Sequence, residues 1–285
     1  MIANKNRAAR LAVVGIVMVG TVFAFGETRK EYRFTVGPKA SVAIINQYGP
    51  VSIKPANGNQ VVVTATTYSD KVEIDQTQSG NRVSVTSRLH ADATVDSGRV
   101  SYEVLVPAGA SVTVQSSTGP LDAEKLRGDV SLEGGTANVE AHDLSGGHVH
   151  IRTLNGPVTL TNIHEGHVEI TSVSGNIILN TVSGPLVQVN STSGKITYDG
   201  DFGGSGEYSL NSYSGDIEAM APAFASFDVS ARSVKGQVEN DFELQPRHTP
   251  SFVVRAGSAF AGTMGKAASS VKLFTFSGKI HLKKR

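Results

Sequence analysis

The chain has 285 residues, 39% of them hydrophobic and 18% charged, with a formal net charge of +1, which is long enough for a large core or an extended stack. It contains no Cys and no Trp. Zero Cys excludes disulfides, thiolate metal sites, a Cys nucleophile and lipid attachment through an N-terminal cysteine.

Residues 1–26 read as a signal peptide, with an uncleaved N-terminal anchor as the alternative. Lys5, Arg7 and Arg10 form a positive region ahead of the 15-residue apolar run Leu11–Phe25, short for a bilayer span of ~20 residues. Ala24-Phe-Gly26 offers small residues for cleavage, with Val22-Phe-Ala24 as a competing site. Cleavage leaves 23 basic against 25 acidic residues, net −2, and no later apolar run is long enough to span a membrane. That balance gives no basic surface for nucleic acid. The chain is therefore expected to be exported to the periplasm, the cell surface or the medium.

Residues 27–109 are expected to form a strand-rich N-terminal region that caps the array following it. Tyr32–Val36, Ser41–Ile45, Val51–Ile53 and Val61–Tyr68 are rich in β-branched and aromatic residues between Gly, Pro and Asn breaks. Lys71–Asp75 and Arg82–Thr86 alternate with period two, so each buries one face. Asn46-Gln-Tyr-Gly-Pro-Val-Ser-Ile53 echoes Thr153-Leu-Asn-Gly-Pro-Val-Thr-Leu160, an early copy of the later unit.

Residues 110–285 carry the repeat array and a C-terminal cap. Segments of the Gly-His-Val-His-Ile type start at 128, 147, 166 and 185, a constant spacing of 19. Interleaved Ser-Gly or Asn-Gly pairs place glycines at 156, 175, 194 and 215. A fixed period of this length marks a solenoid. Alternation turns Val149, Ile151 and Thr153 inward and His148, His150 and Arg152 outward, with Val168/Ile170/Ser172 and Val187/Val189/Ser191 as the next inward sets. Val158/Leu160, Ile177/Leu179 and Ile196/Tyr198 line the second strand, and Leu126, Leu144, Ile163 and Val182 fill a third column. The corner glycines are expected to supply positive φ. Thr153, Ser172, Ser191, Ser212 and Ser233 form a hydroxyl column that satisfies interior polar groups.

Past Tyr208 the pattern loosens. Phe202-Gly-Gly-Ser-Gly206 is expected to carry the two extra residues of its coil as a surface loop. It lacks the Lys-Ser/Thr and helix of a phosphate loop. Phe242–Ser251 reads as a loop, and Ser251–Arg255 and Val271–Leu282 as strands. Lys283, Lys284 and Arg285 read as a charged guard on an open sheet edge.

Val104-Leu-Val-Pro-Ala-Gly-Ala-Ser-Val-Thr-Val-Gln-Ser-Ser-Thr-Gly119, followed by repeated Ser-x-Ser-Gly-x-Ile, resembles the bacterial "putative adhesin" family of β-strand repeat proteins of unknown function. The resemblance covers roughly residues 40–282. It implies an exported, solenoid-like envelope protein and supplies no catalytic residues.

The sharpest candidate chemistry is histidine. His148 and His167 are 19 apart and stack on adjacent rungs, beside His150 and Glu169. Imidazoles and a carboxylate at ~5 Å spacing could hold Zn²⁺. Asp216 and Glu218 share one outer face, with Gln237 and Glu239 expected on the following rung and Asp199 and Asp201 near the glycine loop. Paired carboxylates in a cleft would suit a polysaccharide-active enzyme. Serine is explained by corners and ladders rather than by a triad. Tyr213 and Phe276 are the corner aromatics.

These readings combine into an all-β, single-stranded parallel β-solenoid of seven to ten rungs, right-handed by the crossover preference, preceded by an irregular β region. The expected function is non-catalytic, with an extended face presented for adhesion or scaffolding to an envelope or extracellular partner, glycan or protein, and no cofactor. A polysaccharide-active β-helix enzyme and a metal-binding module on the histidine face are the alternatives.

Overall fold

The computed structural model describes residues 18–19, 27–203, 205–246 and 257–285. The leader, except Met18 and Val19, and the strand expected over Ser251–Arg255 lie outside the described residues, as does the end of the loop expected over 242–251. Among the described residues no helix is long and apolar enough to cross a membrane.

The described residues form two 13-stranded sheets that face each other across one core. We term the sheet holding His148–Thr153 the front and the sheet holding Val158–Ile163 the back. Each rung is one front strand followed by one back strand, and like strands pair in parallel from rung to rung. A two-strand rung cannot bury its apolar side alone. Stacking rungs ~4.8 Å apart pairs the backbone with the next coil and sets like side chains on like.

Ten rungs stack among the described residues. In spatial order the first is Arg82–Leu89 with Val100–Pro107, and the second is Ser41–Tyr48 with Val51–Ala56. Rungs three to five are Ser111–Thr118 with Leu121–Glu124, Val130–Gly134 with Val139–His142, and His148–Thr153 with Val158–Ile163. Rungs six to eight are His167–Ser172 with Ile177–Val182, Leu186–Ser191 with Ile196–Asp199, and Glu207–Ser212 with Ile217–Ala221. The ninth is Ser269–Thr275 with Ile280–Lys284, and the tenth is Phe227–Ser233 with Val238–Asn240.

The stack is therefore not in chain order at either end. Rung two, first in the sequence, lies between rungs one and three. Rung nine, last in the sequence, slots between rungs eight and ten. Two expectations fall with this. Gln237 and Glu239 do not lie on the rung after Glu218, because His281 intervenes between Glu218 and Glu239. The terminal Lys283, Lys284 and Arg285 do not follow the last strand of the sheet, since Val238–Asn240 pairs beyond theirs as far as Leu282. Antiparallel strands terminate the stack instead. Gln60–Thr67 and Val72–Ser79 cover rung one, and Ala259–Met264 covers rung ten on the front.

The core confirms the alternation. Val83, Val42, Val112, Val130, Val149, Val168, Val187, Tyr208, Val271 and Val229 form one register-matched file, all buried. Each such side chain contributes ~1.5–3 kcal/mol relative to exposure. Leu126, Leu144, Ile163 and Val182 are buried as the third column. Phe202 departs from expectation. The two extra residues of its coil turn its ring inward, where it stacks on Tyr198 at 4.4 Å and meets Tyr208 and Phe227 edge-on. Burial pushes the Tyr208 phenol up to about 12.

The bend leading from front to back strands explains the Ser-x-x-Gly repeat. Thr153, Ser172, Ser191, Ser212, Thr275 and Ser233 are buried, and each hydroxyl accepts the N–H of the glycine three residues on, at 2.8–3.1 Å. Those glycines are not there for positive φ, as the sequence suggested; none of them has it. They are there because neighbouring rungs touch. A Cβ on Gly175 would lie 1.9 Å from the Gly156 carbonyl oxygen, and one on Gly194 would lie 2.0 Å from that of Gly175. At this bend positive φ is found on Gly49 and Gly119 of rungs two and three, and at the opposite bend it falls on Lys125, Asp143, Asn162 and Thr181.

Candidate binding face and groove

Parallel register turns each outward position into a column running along the stack. On the front sheet His148 sits beside His167, and His150 beside Glu169. The two imidazoles of the first pair meet edge-on at 4.7 Å between centroids, and His150 Nδ1 lies 3.6 Å from a Glu169 carboxylate oxygen. Asp129 accepts the His148 backbone N–H at 3.0 Å. The structure thus brings all four predicted residues into one patch. Even so, among the described residues no three or more His, Asp or Glu side chains form a group able to hold a metal ion.

On the back sheet the charged residues pair across rungs. Glu218 accepts Lys195 Nζ at 2.9 Å and Lys283 Nζ at 2.7 Å, and these two hydrogen bonds hold its carboxyl down at about 2. Glu124 takes Lys54 at 3.0 Å and His142 at 3.2 Å; its carboxyl is held below the usual range, chiefly by the Lys54 hydrogen bond. Asp143 is lowered by Asn162 and then by His142. His281 lies between Glu239 and Asp241, at 3.5 and 3.0 Å.

The carboxylates singled out in the sequence are likewise engaged. Asp216 accepts the Lys279 backbone N–H, Asp201 accepts that of Gly203, and Asp199 lies 2.9 Å from the Arg285 guanidinium. Asp216 and Asp199 tie rungs together, while Asp201 holds its own loop.

The front sheet carries a concavity that sequence reasoning missed. A groove of about 730 Å³ runs along the stack from rung one to rung six, beside the front-to-back bend. Ile45, Leu154 and Val173 give it apolar walls and are 43%, 58% and 44% exposed, where the alternation would otherwise place polar groups. Its middle is open because rung four presents Gly134 and Gly135 there. Gly135 cannot easily be otherwise, since a Cβ would lie 2.7 Å from the Ser117 carbonyl oxygen.

Two charges line the groove. Glu133 is capped by the Gln115 amide at 3.1 Å. Arg152, exposed and in register with Glu133, has no hydrogen-bond, ion-pair or ring partner among the described residues. The only sequence signal for this site is the Gly-Gly pair falling where other coils carry Thr-Leu or Ser-Val.

Farther along the same bend Tyr213 and Phe276 stack at 5.0 Å with planes 7° apart, and Lys235 Nζ sits 4.9 Å from the Phe276 ring. The sequence had them as corner residues. It could not show that rung nine brings them together.

A solved structure of a "putative cell adhesion protein" from Clostridium sporogenes is similar at 14% identity, covering 90% of this chain and 100% of that one, with a TM-score of 0.29. A "putative adhesin" from Bacteroides fragilis is similar at 9% identity, covering 90% and 97% of the two chains, with a TM-score of 0.49. No curated protein matches the sequence. The family model described as Toastrack DUF4097 matches residues 41–283, and the chain belongs to that family.

Proposed function

We infer that this is an exported, non-catalytic envelope or surface protein that presents its front sheet to an extended partner, in adhesion or scaffolding. The observation that carries this reading is the unbroken display of ten rungs. Nine steps of ~4.8 Å give flat faces roughly 43 Å long, held rigid by a single continuous core. Stacked repeats of this kind suit recognition of a partner that is itself extended. The basic and apolar pattern of residues 1–26 supports export, and the adhesion wording attached to the two similar structures agrees with the reading without carrying it.

The polysaccharide-active alternative asks for convergent carboxylates in a groove. The front groove offers one carboxylate, Glu133, already engaged by Gln115. The test is a retention assay of the purified protein on envelope fractions and intact cells, with release of sugar reducing ends followed in parallel. Saturable retention without product is expected. Absence of retention, or steady product release from any polysaccharide, overturns the reading.

A further inference from the structure

We propose that the front groove binds an extended acidic peptide, seating a carboxylate on Arg152 between aliphatic side chains on Ile45, Leu154 and Val173. The proposal rests on the presentation reading and names the partner's chemistry. Its first ground is shape. The groove spans six rungs, about five steps of ~4.8 Å, or roughly 24 Å. An extended peptide advances ~3.3 Å per residue, so about seven residues fill it.

Its second ground is charge. Glu133 accepts one hydrogen bond from the Gln115 amide, whereas Arg152 is the groove's one charged side chain without a partner among the described residues. A guanidinium beside apolar walls offers a planar, two-pronged site for a carboxylate, stronger there than a lysine would be. Its third ground is the wall chemistry. Among the described residues no aromatic ring lines the groove, so a sugar finds no stacking surface there, while three aliphatic side chains match the aliphatic residues of a peptide. Gln47, Gln115 and Thr171 supply hydrogen-bonding groups for the peptide's backbone. Affinity would come from alternate side chains entering the groove and from these backbone contacts.

The test uses the whole purified protein and three probes: a capped heptapeptide alternating leucine and glutamate, the same peptide with lysine for glutamate, and an oligogalacturonate. Methyl resonances of Ile45, Leu154 and Val173 are followed by NMR. The acidic peptide is expected to shift these methyls and to bind at least tenfold more tightly than the lysine peptide. Arg152→Ala is expected to weaken it at least tenfold, and Arg152→Lys less. Because Arg152 is exposed, an unchanged spectrum of the core methyls shows that the variant is folded.

Equal binding of the two peptides, no loss in Arg152→Ala, or shifts produced by oligogalacturonate alone overturns the proposal. Retention on envelope fractions is measured on the same samples. Failure of the acidic peptide to bind while retention persists overturns the groove assignment and leaves the presentation reading standing. Loss of retention strikes the presentation reading itself.

Discussion

The central rungs and the two ends of this molecule obey the same local rules but differ in order. From rung three to rung eight, each coil of the chain lies on the one before it. At the ends, one coil is laid down and a later or earlier coil slots beside it out of turn. The difference teaches that a repeat specifies the inside of a rung and its docking edges, but not which rung docks where. Every rung presents nearly the same edge, so order at the ends is decided by what the connecting segments and caps allow.

The largest expected effect tests whether the slotted rung is as firmly held as a central one. Gly175→Ala would push a methyl to 1.9 Å from the Gly156 carbonyl oxygen, and Gly278→Ala would push one to 2.2 Å from that of Gly215. Backbone cannot yield as a flexible side chain can, so each should cost more than about 3 kcal/mol in chemical denaturation. Near-equal costs are expected despite the position of Gly278 close to the C-terminus. A small cost at Gly278 alone would mean that rung nine is a loosely held end.

Phe202→Ala comes next, with a loss of ~3–5 kcal/mol, because the ring is buried among Tyr198, Tyr208 and Phe227 where the regular pattern gives way. The same denaturation measurement applies, and a loss below ~1 kcal/mol would return this residue to a surface loop. Glu218→Gln should cost about 1 kcal/mol at pH 7, a modest figure because the pair is partly solvated. Glu218 links Lys195 of the bend before rung seven's back strand to Lys283 of rung nine.

Its carboxyl is held at about 2, below the ordinary 4.5. The stabilisation is therefore fully present above pH about 4.5 and fades as pH falls toward 2. The gap between the wild type and Glu218→Gln should close over that window; a gap that stays constant would contradict the assignment. The smallest effect is a gain. Thr181 holds φ at 53°, a left-handed conformation that a β-branched residue resists. Thr181→Asn should stabilise by roughly 0.5–1 kcal/mol in thermal unfolding.

Much of this was legible because solenoid rungs repeat their physics. The period of 19 and the alternation placed Val149, Val168 and Val187 in one buried file and His148 beside His167, as the structure has them. The hydroxyl column was legible for the same reason. Its glycines were visible but their cause was not, since close approach between rungs 19 residues apart leaves the same letter as a positive φ.

Rung nine was hidden because its sequence, ending in Thr275-Phe-Ser-Gly-Lys-Ile-His-Leu282, matches the repeat but carries no mark of where it docks. The groove was hidden because it arises from what one coil lacks. Gly134 and Gly135 remove side chains that neighbouring coils possess, and Arg152 becomes notable only once its neighbours' partners are known.

The spatial order of the rungs is the claim on which the faces, the Glu218 link and the aromatic stack all depend, and a cysteine-free chain permits a clean test of it. Ser209, Lys272 and Ser230 occupy one outward column, with Lys272 in register between the other two. Paired cysteines at 209 and 272 lie on adjacent strands, within the ~4.4–6.8 Å Cα range of a disulfide, whereas 209 and 230 lie two strand spacings, ~9.6 Å, apart. Mild oxidation should cross-link Ser209→Cys/Lys272→Cys almost fully and leave Ser209→Cys/Ser230→Cys reduced. Efficient cross-linking of 209 to 230, with none between 209 and 272, would show the coils stacked in chain order and contradict the account.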